Sequence, residues 1–461
     1  VAPDSYGVTI FGSKTVSEQL TVGGNASIKA TGPSPAISGN GDKAYHVDGK
    51  GTKIIITGSA VVSAENNYAI YHPDNGTLNI QGGTVSGKGG IQMCSGTLKI
   101  SGSPKIEALG KADHETGAAG PIYDIAAISV VNRSYPGGAP VVTIKGTPTV
   151  IANEGEVIHA YTWSNNAESE WAEAGDNINV SGGTYSKTFN EAYLAADCTL
   201  VLNEGSYTVE QKKVAEYNGT QYTSLSQAIL NANNSGEKAT VKLLDNVTLT
   251  NSLGIGGTAA VTLNLNKKTL TLNGAQIYTQ GSAPVTINSG TIKRTDEPAS
   301  GSANNFAIQV MSGSSLMLGT GIGSTYKVTL ESTYGIYNVG GTLTVRYATI
   351  NTNGWSIAVS DSASKTGVVY IGRGMGGNTK TVITSESGNV LGTMVNSKPN
   401  VTIDYGTLTS NGTAWDAGVV YWASEGTLTI TGGIFNASTA DGSTAAAVYQ
   451  KNGTVKISGI N

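Results

Sequence analysis

GTLNIQGGTVS at residues 76–86 decides the fold. Leu78 and Ile80 alternate with Thr77 and Asn79, two glycines follow, and Thr84–Val85–Ser86 starts a second alternation. A period of two marks a half-buried strand, and glycine supplies the bend between two strands. The phrase recurs as GTLKISGSPKI at 96, VTIKGTPTVI at 142, INVSGGTYS at 178, VTINSGTIK at 285, GTLTVRYATI at 341, VTIDYGTLTS at 401, GTLTITGGIFN at 426 and GTVKISGIN at 453. After most copies comes a third strand built on a small residue followed by Ile or Val, as in YAIYH at 68, AAISV at 126, FAIQV at 306, YGIYN at 334, WSIAV at 355 and AGVVYW at 417.

Three short strands per repeat, spaced 26 to 32 residues in the second half of the chain, outline coils with three sides and insertions in the turns. A single coil cannot bury its own apolar residues. Coils stacked at about 4.8 Å place Ile on Ile and Thr on Thr and share backbone hydrogen bonds. The expected fold is therefore all-β, a right-handed parallel β-helix: a three-sided solenoid with irregular rungs of about 20–32 residues. In the third strand, alternation points Ile70, Ile128, Val157, Ile308, Ile336, Ile357, Val419 and Val448 inward. It points Tyr71, Ser129, Ile158, Gln309, Tyr337, Ala358, Val420 and Tyr449 outward.

One helix interrupts this pattern. Ser224 with Gln227 three residues later reads as a capping box, Leu225, Ala228, Ile229 and Ala232 form an apolar stripe, and Asn-Asn-Ser-Gly stops it. A short helix over 224–234 is expected to cap a second β-helical module, which divides the chain into 1–212 and 213–461.

Composition narrows the function. With 62 Gly, 12 Pro and only 13% charged residues, the chain fits strands joined by polar turns. Its net charge of -4 and scattered Lys and Arg exclude nucleic acid and anionic membrane as expected partners. No apolar run approaches a bilayer span. Cys94 and Cys198, the two cysteines, stand 104 residues apart without a His or Cys at ligand spacing, so they read as free buried thiols. KISGIN at the end stops partway through a repeat, from which further domains of a longer parent protein are expected.

The run VSGGTYSKTFNEAY, EGSYTV, VAEYNGTQYTSLSQAI and VKLLDNVTLT, within residues 178–250, resembles the module boundary in large repeat-containing surface proteins of Gram-positive gut bacteria with a pectate-lyase-like β-helix fold. That resemblance implies an exported, wall-attached bacterial protein found extracellularly or at the cell surface, with adhesion or carbohydrate binding as its usual role. It implies no particular ligand.

Chemistry on the scaffold is sparse. Glycosidase-type hydrolysis needs paired carboxylates, usually with Gly-His-Gly and Arg-x-Lys, and neither motif occurs. The four histidines, His46, His72, His114 and His159, stand apart in sequence. The sequence therefore nominates no catalytic residue, metal ligand or cofactor. The densest mixed cluster is the turn from Glu107 to Tyr135, with Asp113, His114, Glu115, Tyr123, Asp124 and Arg133, and a solvated insertion explains it. Asp404 with Asp416 reads as isolated surface acids.

Aromatics point further. Sugar recognition uses exposed rings stacked on pyranose faces beside hydrogen-bonding side chains. Tyr161, Trp163 and Trp171 lie among Asn165, Asn166, Glu168 and Glu170 in one polar segment, and Trp415, Tyr421 and Trp422 flank another strand. These six are the expected ligand-binding residues, with a polysaccharide or host glycan as partner. The expectation is a surface-displayed or secreted non-enzymatic scaffold or adhesin. The alternatives are a β-helical polysaccharide lyase or glycoside hydrolase, and a purely structural stalk.

Overall fold

The structure is a computed structural model, and it describes residues 7–11, 17–39, 51–110, 124–135, 137–165, 167–296, 305–321, 326–374, 381–412, 418–437 and 446–459. The protein is all-β, built on parallel sheets, and the chain divides into two compact units, Val1–Lys212 and Lys213–Asn461.

In the second unit, successive strands go to three sheets in turn, so each sheet takes every third strand. One sheet has eleven strands; its parallel part runs from Ala239–Leu243 to Thr454–Ile457. The second has eight, from Val247–Leu249 to Ile434–Ala437, and the third has eight, from Leu253–Ile255 to Val448–Gln450. Alternation fixes the register, because a slip of one residue would turn every apolar side chain outward. Leu316, Leu343, Val369, Val401 and Leu428 align strand upon strand in the first sheet. Ile292, Leu330, Ile350, Ile383 and Leu408 do so in the second, and Ile308, Ile336, Ile357, Leu391 and Val420 in the third. All join one continuous apolar core.

Two inward positions in the third strands differ from expectation. Val420, not Val419, aligns with Leu391 and Val448, and Ile158, not Val157, aligns with Ile128. Val419 and Val157 are also fully buried, because each stands at the corner before its strand, where two successive residues face inside. Simple alternation misses that extra inward residue. It shifts the outward column by one, so that Tyr421 and His159 replace Val420 and Ile158. Ser129 and Ala358 hold their expected column yet are fully buried.

The helix forms at Leu225–Asn233. Ser224 Oγ accepts the Gln227 backbone N–H at 3.4 Å, while the Gln227 side chain turns forward to Asn231 at 3.1 Å, so only half of the capping box forms. Leu225, Ala228, Ile229 and Ala232 are all buried in the core of the second unit. Asn233 ties the helix end to the first third-sheet strand through Gly254 O at 3.0 Å and Gly256 N at 2.9 Å. An antiparallel hairpin, Ala215–Tyr217 with Thr220–Tyr222, covers the edge of Ala239–Leu243. Such cover keeps an edge strand from templating aggregation.

The first unit has a six-stranded sheet from Glu18–Val22 to Ile178–Val180 and a thirteen-stranded sheet. YAIYH is not a separate strand. It continues Val61–His72, whose pairing with Thr84–Met93 shifts between Ala64 and Tyr68, so two sides run together. This unit ends in the antiparallel hairpin Cys198–Asn203 with Ser206–Gln211, where Glu204 (φ 46°) and Gly205 (φ 86°) make the positive-φ turn that matches strand twist. A second, four-residue helix, Ala174–Asn177, was not legible in the sequence.

Candidate functional site

The outward column of the third sheet in the second unit runs Gly254, Tyr278, Gln309, Tyr337, Ala358, Gly392, Tyr421 and Tyr449. Rings and glycines complement one another along it. A Cβ on Gly254 would lie 2.8 Å from Cε2, Cζ and Oη of Tyr278, so that side chain packs on its neighbour's backbone. Trp355, from the turn before Ile357–Ser360, covers Gly392, where a Cβ would meet Cζ3 at 2.7 Å and Cε3 at 2.8 Å, and also reaches Gly388. Tyr334 covers Gly354, at 2.6 Å from a Cβ placed there.

These rings are not wholly buried. Tyr278 is 36% exposed, and Tyr334, Tyr337, Trp355, Tyr421 and Tyr449 are half-buried. Packed on glycine backbone, Tyr278 and Trp355 still reach solvent. Other rings brace one another: Phe306 stacks on Tyr337 at 5.4 Å and tilts on Tyr334 at 5.6 Å, and Tyr421 stacks on Tyr449 at 5.5 Å and 1°. Trp355 leans toward Tyr421 at 6.5 Å. Hydrogen-bonding groups stand between them, with Tyr337 Oη 3.1 Å from Ser360 Oγ and Gln309 Nε2 donating to Gln276 Oε1 at 3.3 Å.

Of the six residues expected to bind ligand, Tyr421 belongs to this face. Trp422 is fully buried in the core of the second unit, because alternation places it opposite Tyr421. Trp415, like Asp416, lies outside the described residues. In the first unit Trp171 is 6% exposed and packs in the core, and Tyr161 is 1% exposed, so neither offers an open ring. The polar segment that holds them is a hairpin, Ile158–Ser164 paired antiparallel with Ala167–Glu170, in which half-buried Trp163 packs on Tyr161.

That hairpin covers a second cluster. Val131 alternates with inward-facing Val130 and aligns with Tyr161, so Cys94, Val131 and Tyr161 form a small apolar patch on the outer side of the sheet. Beside it, His159 Nδ1 lies 3.0 Å from Asp124 Oδ2, and His159 Nε2 lies 3.1 Å from Glu168 Oε1. Ser129 Oγ donates to the same Asp124 oxygen at 2.7 Å. Burial opposes the His159 charge, but the hydrogen bond and charge of Asp124, then Glu156 and Glu168, outweigh it and raise its pKa to about 9. Burial pushes the Cys94 thiol up to about 12, so it stays protonated. Arg133 donates to Tyr135 Oη at 3.0 Å.

Sequence reading singled out Asp124, Arg133 and Glu168 but did not join any of them to His159. The 35 residues separating Asp124 from His159 hide the pair, and their neighbouring strands reveal it only once register is known. Asp113, His114, Glu115 and Tyr123 lie outside the described residues, as does His46. His72 is fully buried, 3.4 Å from Asp74. Asp404 accepts a hydrogen bond from Thr431 at 2.6 Å.

Asp124 also accepts from Ser129 and the Ala126 N–H, and His159 bridges it to Glu168, which makes the cluster a clamp joining Asp124 to the hairpin. Its pKa is raised on folding, so its contribution is full below the unfolded value near 6.5 and is lost as pH rises through about 9. Urea unfolding of the chain should show a midpoint falling over that window, and His159→Gln should flatten this part of the profile. An unchanged profile in His159→Gln would remove the clamp from the account.

Among the described residues, no group of three His, Cys, Asp or Glu side chains is placed to hold a metal ion, and no helix is long and apolar enough to cross a membrane. No family model, curated protein or solved structure matches the chain.

Proposed function

We propose that the chain is a three-sided, right-handed parallel β-helix acting as a non-enzymatic scaffold that binds carbohydrate along the ring-bearing face of its second unit. The rotation of successive strands through three parallel sheets supports the coil, and parallel crossovers of this kind are right-handed in nearly all proteins. The observation that carries the binding role is the set of rings packed against the backbone of Gly254, Gly354 and Gly392. A ring held this way is ordered before ligand arrives, so stacking on a sugar costs little conformational entropy. Display at a bacterial surface, or secretion, follows from the likeness of residues 178–250 to wall-attached repeat proteins.

Sedimentation with insoluble polysaccharides and affinity electrophoresis with soluble ones test the reading. Retention by at least one polysaccharide, without release of reducing ends, is expected for the full chain. Silence across the panel leaves the stalk, and product release restores the lyase or hydrolase alternative.

A further inference from the structure

Resting on that reading of the face, we infer that its ligand is an uncharged, extended polysaccharide lying across the strands. The eight strands of the sheet carry no Asp, Glu, Lys, Arg or His. The other two sheets of the unit do carry charges, among them Lys242 and Lys456 in one and Lys293, Arg294 and Glu331 in the other. Charge is therefore missing from these strands in particular.

Three charges near the strands, among the described residues, are matched. Arg294 donates from Nε to Asp296 Oδ1 at 2.9 Å, from Nη2 to Asp296 Oδ2 at 2.7 Å, and from Nη1 to Phe306 O at 2.9 Å. The carboxylate of Asp361 accepts backbone N–H groups of Gly367 and Lys398, and the Lys398 ammonium lies 3.2 Å from Glu425. A uronate or sulfate laid on the rings would lose hydration and meet no cation on the strands themselves. A neutral sugar needs an apolar ring face and polar neighbours; Tyr278 and Trp355 supply the rings, with partly exposed Gln309 in the same column.

Length follows from register. Tyr278 and Tyr449 stand on the second and eighth strands of the sheet. Six intervals at about 4.8 Å give a face about 29 Å long. Tyr278 and Trp355 stand several strands apart, so a chain of several sugars, rather than one terminal sugar, engages both.

Isothermal titration of the full chain with neutral and acidic polysaccharides, and with neutral oligosaccharides of increasing length, separates the possibilities. Binding to a neutral polymer, affinity that climbs at least tenfold from disaccharide to hexasaccharide, and indifference to salt are the expected results. Salt-sensitive binding restricted to polyuronates or sulfated glycans overturns the inference and leaves the carbohydrate reading standing. Monosaccharide affinity equal to that of the polymer overturns the extended ligand. Silence in every arm overturns the reading of the face, and the inference with it.

Discussion

Trp422→Ala should lower the stability of the second unit by about 3–5 kcal/mol, the usual cost of emptying a fully buried aromatic site. Trp422 is 0% exposed and packs in the continuous core of that unit. Its Nε1 has no hydrogen-bond partner. Trp422→Phe should therefore cost much less, about 1 kcal/mol, because the lost volume is partly offset by removal of a buried, unsatisfied donor. Urea unfolding followed by circular dichroism measures both. If Trp422 were instead an open platform for sugar, the Ala variant would bind more weakly and unfold like the parent.

The second large effect is on binding. Gly392→Ala adds one methyl group where Trp355 lies, within 2.7–3.1 Å of three indole carbons. The backbone of Gly392 is extended, in register with Ala358 and Tyr421, so Ala meets no φ penalty there. The indole is the part able to move. Lifting it off the sheet should weaken polysaccharide binding about tenfold, close to the loss from Trp355→Ala, since one aromatic contact contributes about 0.5–1.5 kcal/mol. Stability should change by less than about 1 kcal/mol, because Ala also narrows the unfolded ensemble. Full binding by Gly392→Ala, measured by affinity electrophoresis, would show that ligand does not read the Trp355 face.

Most of the fold was written in local pattern. GTLTI-type strands, their spacing and the Ser224 cap are legible because each depends on residues within a few positions of one another. Ile158 and Val420 were placed outward in error, because Val157 and Val419 just before them also face inside, and an inward pair at a bend breaks the period of two. The ring-bearing face was half legible. Tyr421 could be found as an aromatic beside a strand, but the ring-on-glycine pairs could not. Gly254 and Tyr278 meet only through the register of two strands, as do Gly392 and Trp355.

Tyr161, Trp171 and Trp422 show the opposite limit. An aromatic amid Asn and Glu looks exposed in sequence, while strand phase or a covering hairpin buries it. The same hairpin brings Glu168 to His159, and no spacing rule announces a contact made by folding back.

A crystal structure of the chain soaked with a neutral hexasaccharide tests the central claim most directly. Sugar rings stacked on the open faces of Tyr278 and Trp355, with the chain running across the strands, are the expected result. Sugar bound only elsewhere, with those two faces bare, would contradict the account.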